Sequence, residues 1–332
     1  MPSTPDTPMN ERHHINVFTH NDLDGVGCAV LAELYAKQKN ASITITYCTP
    51  GTINHELEKL EHSIKTAKFI GAPLPSLREI FVLDLALDAQ GVAIMDRLLR
   101  DGIRGQHIDH HPMKTTTKYP WMMITSSPVI CACDLLVSYL RLYRYASFDN
   151  AAIDFSNRVS IWDTHRFPSH ERREYEDLNL VLKLLGPKGA HEFFTGALIE
   201  EPNQPLKIKY TYLAAAVDEL RRQKNEYCAI HGKKPLVFFD HGRRIHAVFA
   251  DRHISSVADY VLDHQPEADI CAVIQMPICV SLRTRNSDID LFEDYAKPRG
   301  GWGHASAAAF PIRDLVDSKL LAPVMNMWNY AF

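Results

Sequence analysis

Apolar and polar positions along the first half of the chain switch repeatedly between the period of a strand and that of a helix. INVFTH (15–20) is a short apolar run, followed by a Gly25-Val26-Gly27 turn and the helical pattern CAVLAELYAKQ. SITITYC (42–48) is β-branched and strand-like, and REIFVLDLAL (78–87) is a second buried strand candidate. AIMDRLLRDG (93–102) is an amphipathic helix closing on glycine, GQHIDHH reads as a strand end, and CDLLVSYLRLYR as a further helix. Alternation of this kind predicts an α/β fold with a doubly wound, mainly parallel sheet. From about 174 to 228 the pattern is helical. From about 235, PLVFFDHG, RRIHAVFAD, ADICAVIQM and ICVSLRTR are strand candidates, with helices near 255–263 and 288–296 and a tight turn at Pro277. The expected organisation is a disordered tail (1–14), a first α/β domain (15–190), a helical connector (191–234) and a smaller α/β domain (235–332).

At 332 residues the chain is long enough for two ordinary domains. Its 46% apolar and 23% charged residues suit a soluble globular protein, and no apolar run is long enough for a membrane span. The N-terminus lacks the layout of a signal peptide. Seven cysteines are scattered, several inside apolar runs, which suits reduced core residues of a cytoplasmic protein. Cys131 and Cys133 have no second Cys or His pair at zinc spacing nearby. A net charge of −4 argues against binding long duplex nucleic acid, but not against a small phosphorylated substrate. The pattern is compatible with a homodimer.

The candidate chemistry lies where acidic or imidazole groups follow strand-like runs: His20-Asn21-Asp22-Leu23-Asp24-Gly25, Asp84 in FVLDLAL, Asp109-His110-His111, and Asp163 in VSIWDTH. Strand C-terminal ends of an open parallel sheet are where ligands bind, so all four are expected to face one place. Asp22 and Asp24 are expected on the same side of an extended chain, because side chains alternate with period two. A donor set dominated by carboxylates suits two divalent ions such as Mn²⁺ or Mg²⁺, clamping a phosphoryl group. A carboxylate must bridge ions so close, and Asp84, alone on its strand, is the candidate.

HNDLDG, the isolated Asp84, Asp109-His110-His111 and Asp163 resemble the four motifs of the DHH phosphoesterase superfamily, which includes RecJ-type exonucleases, nanoRNases, cyclic-dinucleotide phosphodiesterases and family II pyrophosphatases. SLRTRNSDIDLFEDYAKPRGGWGHASAAAF (281–310) resembles the superfamily's substrate-binding DHHA1 domain, with Gly301-Trp302-Gly303-His304 standing for its Gly-Gly-Gly-His. The resemblance implies a DHH domain and a DHHA1 domain with the active site in the cleft between them. It implies metal ligation by Asp22, Asp24, Asp84, His110 and Asp163, with two divalent ions, Mn²⁺ foremost and Mg²⁺ next. His111 would face the substrate phosphate and Asp109 would orient an imidazole, so His111, Asp109 and Asp84 are the catalytic candidates. His20 precedes Asp22 by two positions, nearer the RecJ and nanoRNase spacing, and either ligates or lines the site.

In the second domain, Gly301 and Gly303 would free backbone amides for an anion, and His304 and Arg283 would add charge-assisted hydrogen bonds to it. Trp302 either offers a face for a nucleobase or packs against the sheet, and packing is the expectation. The implied function is hydrolysis of short oligonucleotides to 5′-mononucleotides. Alternatives are a 3′-phosphoadenosine 5′-phosphate phosphatase, a cyclic or linear dinucleotide phosphodiesterase, and an inactive nucleotide-binding scaffold. Retention of every ligand carboxylate argues against the scaffold.

Overall fold

The computed structural model describes residues 13–71, 77–112, 117–127, 129–143, 145–167, 172–202, 211–275 and 279–311. Residues 1–12 of the expected tail and the turn at Pro277 lie outside them. The chain forms two compact units, Met1–Val217 and Asp218–Phe332.

In the first unit β1 (His14–His20), β2 (Ser42–Cys48), β3 (Leu77–Leu83), β4 (Arg104–Asp109) and β5 (Met122–Ile124) make a parallel sheet in the order β2-β1-β3-β4-β5. Ile15, Val17, Ile80 and Val82 are fully buried, as continuous apolar runs must be in a sheet covered on both faces. The helices are α1 (Leu23–Gln38), α2 (Ile53–Phe69), α3 (Ala89–Arg100), α4 (Ala132–Leu142), α5 (Asn150–Asp163), α6 (Arg172–Glu200) and α7 (Thr211–Gly232). α1 packs against α4, α5 and α6. α2 and α3 cover the face carrying Phe18, Ile80 and Val82 through Ile53, Leu57, Ile94 and Leu98. α6 breaks at Gly186 (φ 70°, ψ 173°), just before Pro187.

Two local expectations are corrected. Gly25-Val26-Gly27 is not a turn but lies inside α1, because the Asp22 carboxylate accepts the Gly25 amide (3.0 Å) and starts the helix there. Gly25 is needed for close packing, since a Cβ would stand 2.2 Å from the His20 carbonyl oxygen. VSIWDTH is not a strand end either; it is the last turn of α5, whose buried stripe of Phe155, Ser156, Val159 and Ser160 has helical spacing.

The second unit holds β6 (Leu236–Asp240), β7 (Arg243–Phe249), α8 (Ile254–His264), β8 (Ile270–Gln275), β9 (Cys279–Arg283), β10 (Trp302–His304) and β11 (Ala307–Pro311). The sheet runs β10-β11-β9-β8-β7-β6, with β7 and β8 parallel and the other pairs antiparallel. One face packs Ile245, Ile270, Leu282 and Phe310 against Tyr295. The other packs Val248 and Val273 under Val257 and Val261 of α8 and Tyr227 of α7. The helix expected near 288–296 is a single π-turn, Phe292–Ala296, followed by a 3₁₀ turn, Lys297–Arg299. Trp302 is 57% exposed rather than packed, because β10 is a three-residue edge strand. Among the described residues, no helix is long and apolar enough to cross a membrane.

Candidate metal centre

The junctions after β1, β3 and β4, together with the end of α5, bring the acidic and imidazole groups to one place. His20 ends β1, and its Nδ1 lies 2.8 Å from Asp22 Oδ2. Asp22 and Asp24 do not share one side of an extended chain. Asp22 is the N-cap of α1 and Asp24 lies in its first turn, because the helix begins at Leu23. Asp24 is fully buried, and its two oxygens accept the amides of Ala132 (2.7 Å) and Cys133 (2.9 Å) at the start of α4. α4 has no side-chain cap of its own from Cys131, so a residue 108 positions earlier supplies it.

Asp84 directly follows β3 at φ 54°, a left-handed conformation that costs a non-glycine residue energy and that Asp tolerates better than most. It is 2% exposed, and neither carboxylate oxygen accepts a hydrogen bond. Its oxygens face opposite groups. Oδ2 lies 3.8 Å from His20 Nδ1, while Oδ1 lies 3.4 Å from His110 Nε2 and 3.7 Å from His111 Nδ1. His110 Nε2 also stands 3.5 Å from Asp163 Oδ2 and 3.8 Å from Asp24 Oδ2. Potential ligand atoms therefore fall into the groups His20–Asp22–Asp84, Asp84–His110–His111 and Asp24–His110–Asp163, each within 4.8 Å. Asp109, 1% exposed, does not join them; its Oδ1 holds His111 Nδ1 at 2.8 Å and the His111 amide at 3.2 Å.

The electrostatics are those of a site short of positive charge. Burial, then the charges of Asp22, Asp24, Asp163 and Asp109, push the Asp84 carboxyl well above its ordinary value. Burial, then Asp24 and Asp22, do the same to Asp163. Burial also raises Asp22, but the hydrogen bond and charge of His20 outweigh it and hold that carboxyl low. Burial lowers His111, and the hydrogen bond and charge of Asp109 overcome it, so the imidazole is raised. Among the described residues no Lys or Arg pairs with Asp22, Asp24, Asp84 or Asp163. Converging carboxylates, one of them with two orphaned buried oxygens, fit hard or borderline divalent cations.

In the second unit the register sets Arg283, Ala307 and His304 side by side across β9, β11 and β10, so Arg283 and His304 share a sheet face. Arg283 donates to Ser255 Oγ (3.0 Å) and the Leu282 carbonyl (3.1 Å), while its buried Nε has no acceptor. His304 is exposed, with Nδ1 3.2 Å from Ser306 Oγ. The free amide expected at Gly301 is absent, because that N–H donates to the Ala296 carbonyl at 2.8 Å. A Cβ at Gly301 would stand 2.2 Å from Ala309 O, and one at Gly303 (φ 124°) 2.4 Å from Ala307 O. Close strand packing accounts for both glycines.

Two contributors were not anticipated. His107 is 1% exposed; its Nε2 contacts the Leu85 carbonyl at 2.8 Å and lies 4.0 Å from Asp109 Oδ2. The alternation of a strand, which places residues 107 and 109 on one face, carries that signal. The α4 amides that hold Asp24 have no side-chain signature at all.

No family model matches the chain. It is 25% identical over 322 residues to the oligoribonuclease NrnB of Bacillus subtilis (strain 168), covering 94% of this chain and 76% of that protein. Exonuclease RecJ from Thermus thermophilus, in complex with Mn²⁺, superposes with a TM-score of 0.58 at 14% identity, over 95% of this chain and 51% of that one. A further structure of exonuclease RecJ, bound to manganese, gives 0.51 at 14% identity over 95% and 88%. These structural likenesses establish the fold.

Proposed function

The chain belongs to the DHH phosphoesterase superfamily, and from that premise we propose that it hydrolyses the phosphodiester bonds of short oligonucleotides, releasing 5′-mononucleotides. The observation that carries the phosphoesterase chemistry is Asp84, a buried carboxylate with unpaired oxygens turned toward His20 and Asp22 on one side and His110 and His111 on the other. The distant kinship with an oligoribonuclease supports the substrate class.

In this reading Asp22, Asp84 and His20 hold one divalent ion, and Asp24, His110, Asp163 and Asp84 the other, with Mn²⁺ preferred over Mg²⁺. Such ions supply a hydroxide nucleophile at neutral pH and neutralise charge developing on the phosphoryl group. The residues do the positioning. Asp109 fixes the His111 tautomer through Nδ1, leaving the other ring nitrogen to donate to a phosphoryl oxygen. The α4 amides fix Asp24, and the left-handed turn at Asp84 aims its carboxylate away from the sheet. In the second unit, Arg283 and His304 are the proposed contacts to a terminal phosphate.

The test is a product time course on metal-stripped protein given back Mn²⁺. Its substrates are 5′-labelled RNA and DNA oligonucleotides of graded short length, cyclic dinucleotides and 3′-phosphoadenosine 5′-phosphate. Mononucleotides should accumulate from the short oligonucleotides. Turnover of a cyclic dinucleotide or of the bisphosphate alone would replace the substrate assignment, and activity surviving stringent chelation would remove the metal one.

A further inference from the structure

Beside Asp24, on α1 and at the start of α4, lies a cluster of three cysteines for which the phosphoesterase chemistry has no use. Cys28 belongs to α1, Cys131 is the N-cap of α4 and Cys133 lies in its first turn, and all three are fully buried. Cys28 Sγ donates to Cys133 Sγ at 3.8 Å, across 105 residues of sequence, and Cys131 also hydrogen-bonds Cys133. The Asp24 carboxylate, Cys131 and Cys133 offer ligand atoms that lie within 4.8 Å of one another. Cys48 and Cys279, by contrast, donate to oxygens, those of Thr46 and Gln275.

The spacing suits a particular chemistry. Two sulfurs bound tetrahedrally to Zn²⁺ at about 2.3 Å stand about 3.8 Å apart, which is the Cys28–Cys133 separation. Room for Cys133 is kept by Gly27, where a Cβ would stand 2.6 Å from its sulfur. Thiolates select zinc-like and softer ions over Mn²⁺ and Mg²⁺. Their added negative charge would sit at the N-terminus of α4, whose Ala132 and Cys133 amides already face Asp24.

We propose that Cys28, Cys131 and Cys133, with Asp24 as fourth ligand, form a separate site for one thiophilic ion of the zinc class. Binding converts three thiols to thiolates, releases their three protons to solvent and transfers no electrons. Asp24 belongs to this site and to the Asp24–His110–Asp163 group, so the two compete for one carboxylate. The sulfur site does not depend on which phosphoester is hydrolysed.

Reduced, metal-stripped full-length protein incubated with Cd²⁺ reads the proposal out through thiolate-to-metal charge-transfer absorption, which carboxylate and imidazole ligands do not produce. One equivalent should saturate the band, Zn²⁺ should compete for it, and excess Mn²⁺ should not. Cys28→Ser and Cys133→Ser should each weaken it, while Cys48→Ser leaves it unchanged. Absence of the band in the wild-type protein overturns the proposal whatever the variants do. A band that survives intact in the Cys28→Ser/Cys133→Ser double variant overturns it equally, by placing the thiolates elsewhere.

Discussion

At the scale of single residues, Asp84 concentrates the cost of the site. It combines a left-handed backbone with a buried carboxylate that no donor satisfies, and both features are tolerated where ligand binding repays them. Asp84→Asn keeps the shape and a side chain that accepts φ near 54°, but removes the charge. Its turnover should fall below about a tenth of wild type, because a neutral amide cannot bridge two cations. The same substitution should raise the melting temperature of the metal-free protein, each kcal/mol regained being worth about 2–4 °C in a unit of this size. The pH dependence has a definite sign. Asp84 titrates above its ordinary value of 3.8 when folded, so the folded chain binds the extra proton, and stability falls as pH rises through the window above 3.8. The advantage of Asp84→Asn over wild type should therefore shrink as pH is lowered toward 4, read as the difference in melting temperature between the two metal-free proteins. A constant difference would mean that the Asp84 charge is not the source of the strain.

Secondary-structure elements position what the residues supply, and here sequence and structure part company. The β1, β3 and β4 ends were legible, because runs such as INVF and IFVL are uninterrupted apolar stretches closed by an acid or histidine. The end of α5 was not. A short run of Val, Ile and Trp before Asp163 carries too little periodicity to separate strand from helix, and only the buried serines at 156 and 160 complete the helical stripe. The role of α4 was equally hidden, since backbone amides donate to Asp24 whatever side chains they carry. Ala132→Pro isolates it. Position 132 follows the N-cap, where proline is favoured, and Cys131 is already extended, so the helix should persist while one amide is lost. Mn²⁺ affinity should weaken about 10–100-fold with the helical circular dichroism retained. In the other unit, β9 buries Arg283 against Ser255 of α8, a contact invisible in a one-dimensional pattern. Arg283→Lys keeps the charge but loses the forked donor geometry. It should raise KM for a 5′-phosphorylated dinucleotide far more than for an artificial aryl phosphodiester, and equal effects would remove Arg283 from phosphate binding.

At the scale of the whole molecule, the division into two units predicts how the protein responds to its metal. Each unit has its own sheet and its own buried cores, Ile80, Val82 and Leu98 in the first and Ile245, Leu282 and Phe310 in the second. Every carboxylate and imidazole of the candidate metal centre belongs to Met1–Val217. An ion that binds the native state alone stabilises only the unit holding it, by about 2.7 kcal/mol at a hundredfold excess over Kd. Calorimetry of the full chain should therefore resolve two transitions, one of which moves up with Mn²⁺ while the other stays in place. Asp84→Asn should abolish the shift without displacing the stationary transition. Equal movement of both transitions would show either that the units melt as one or that the ion has a further site within Asp218–Phe332. A repeat with Arg283→Lys separates these, since that substitution lies in the second unit and should lower only the transition Mn²⁺ leaves unmoved.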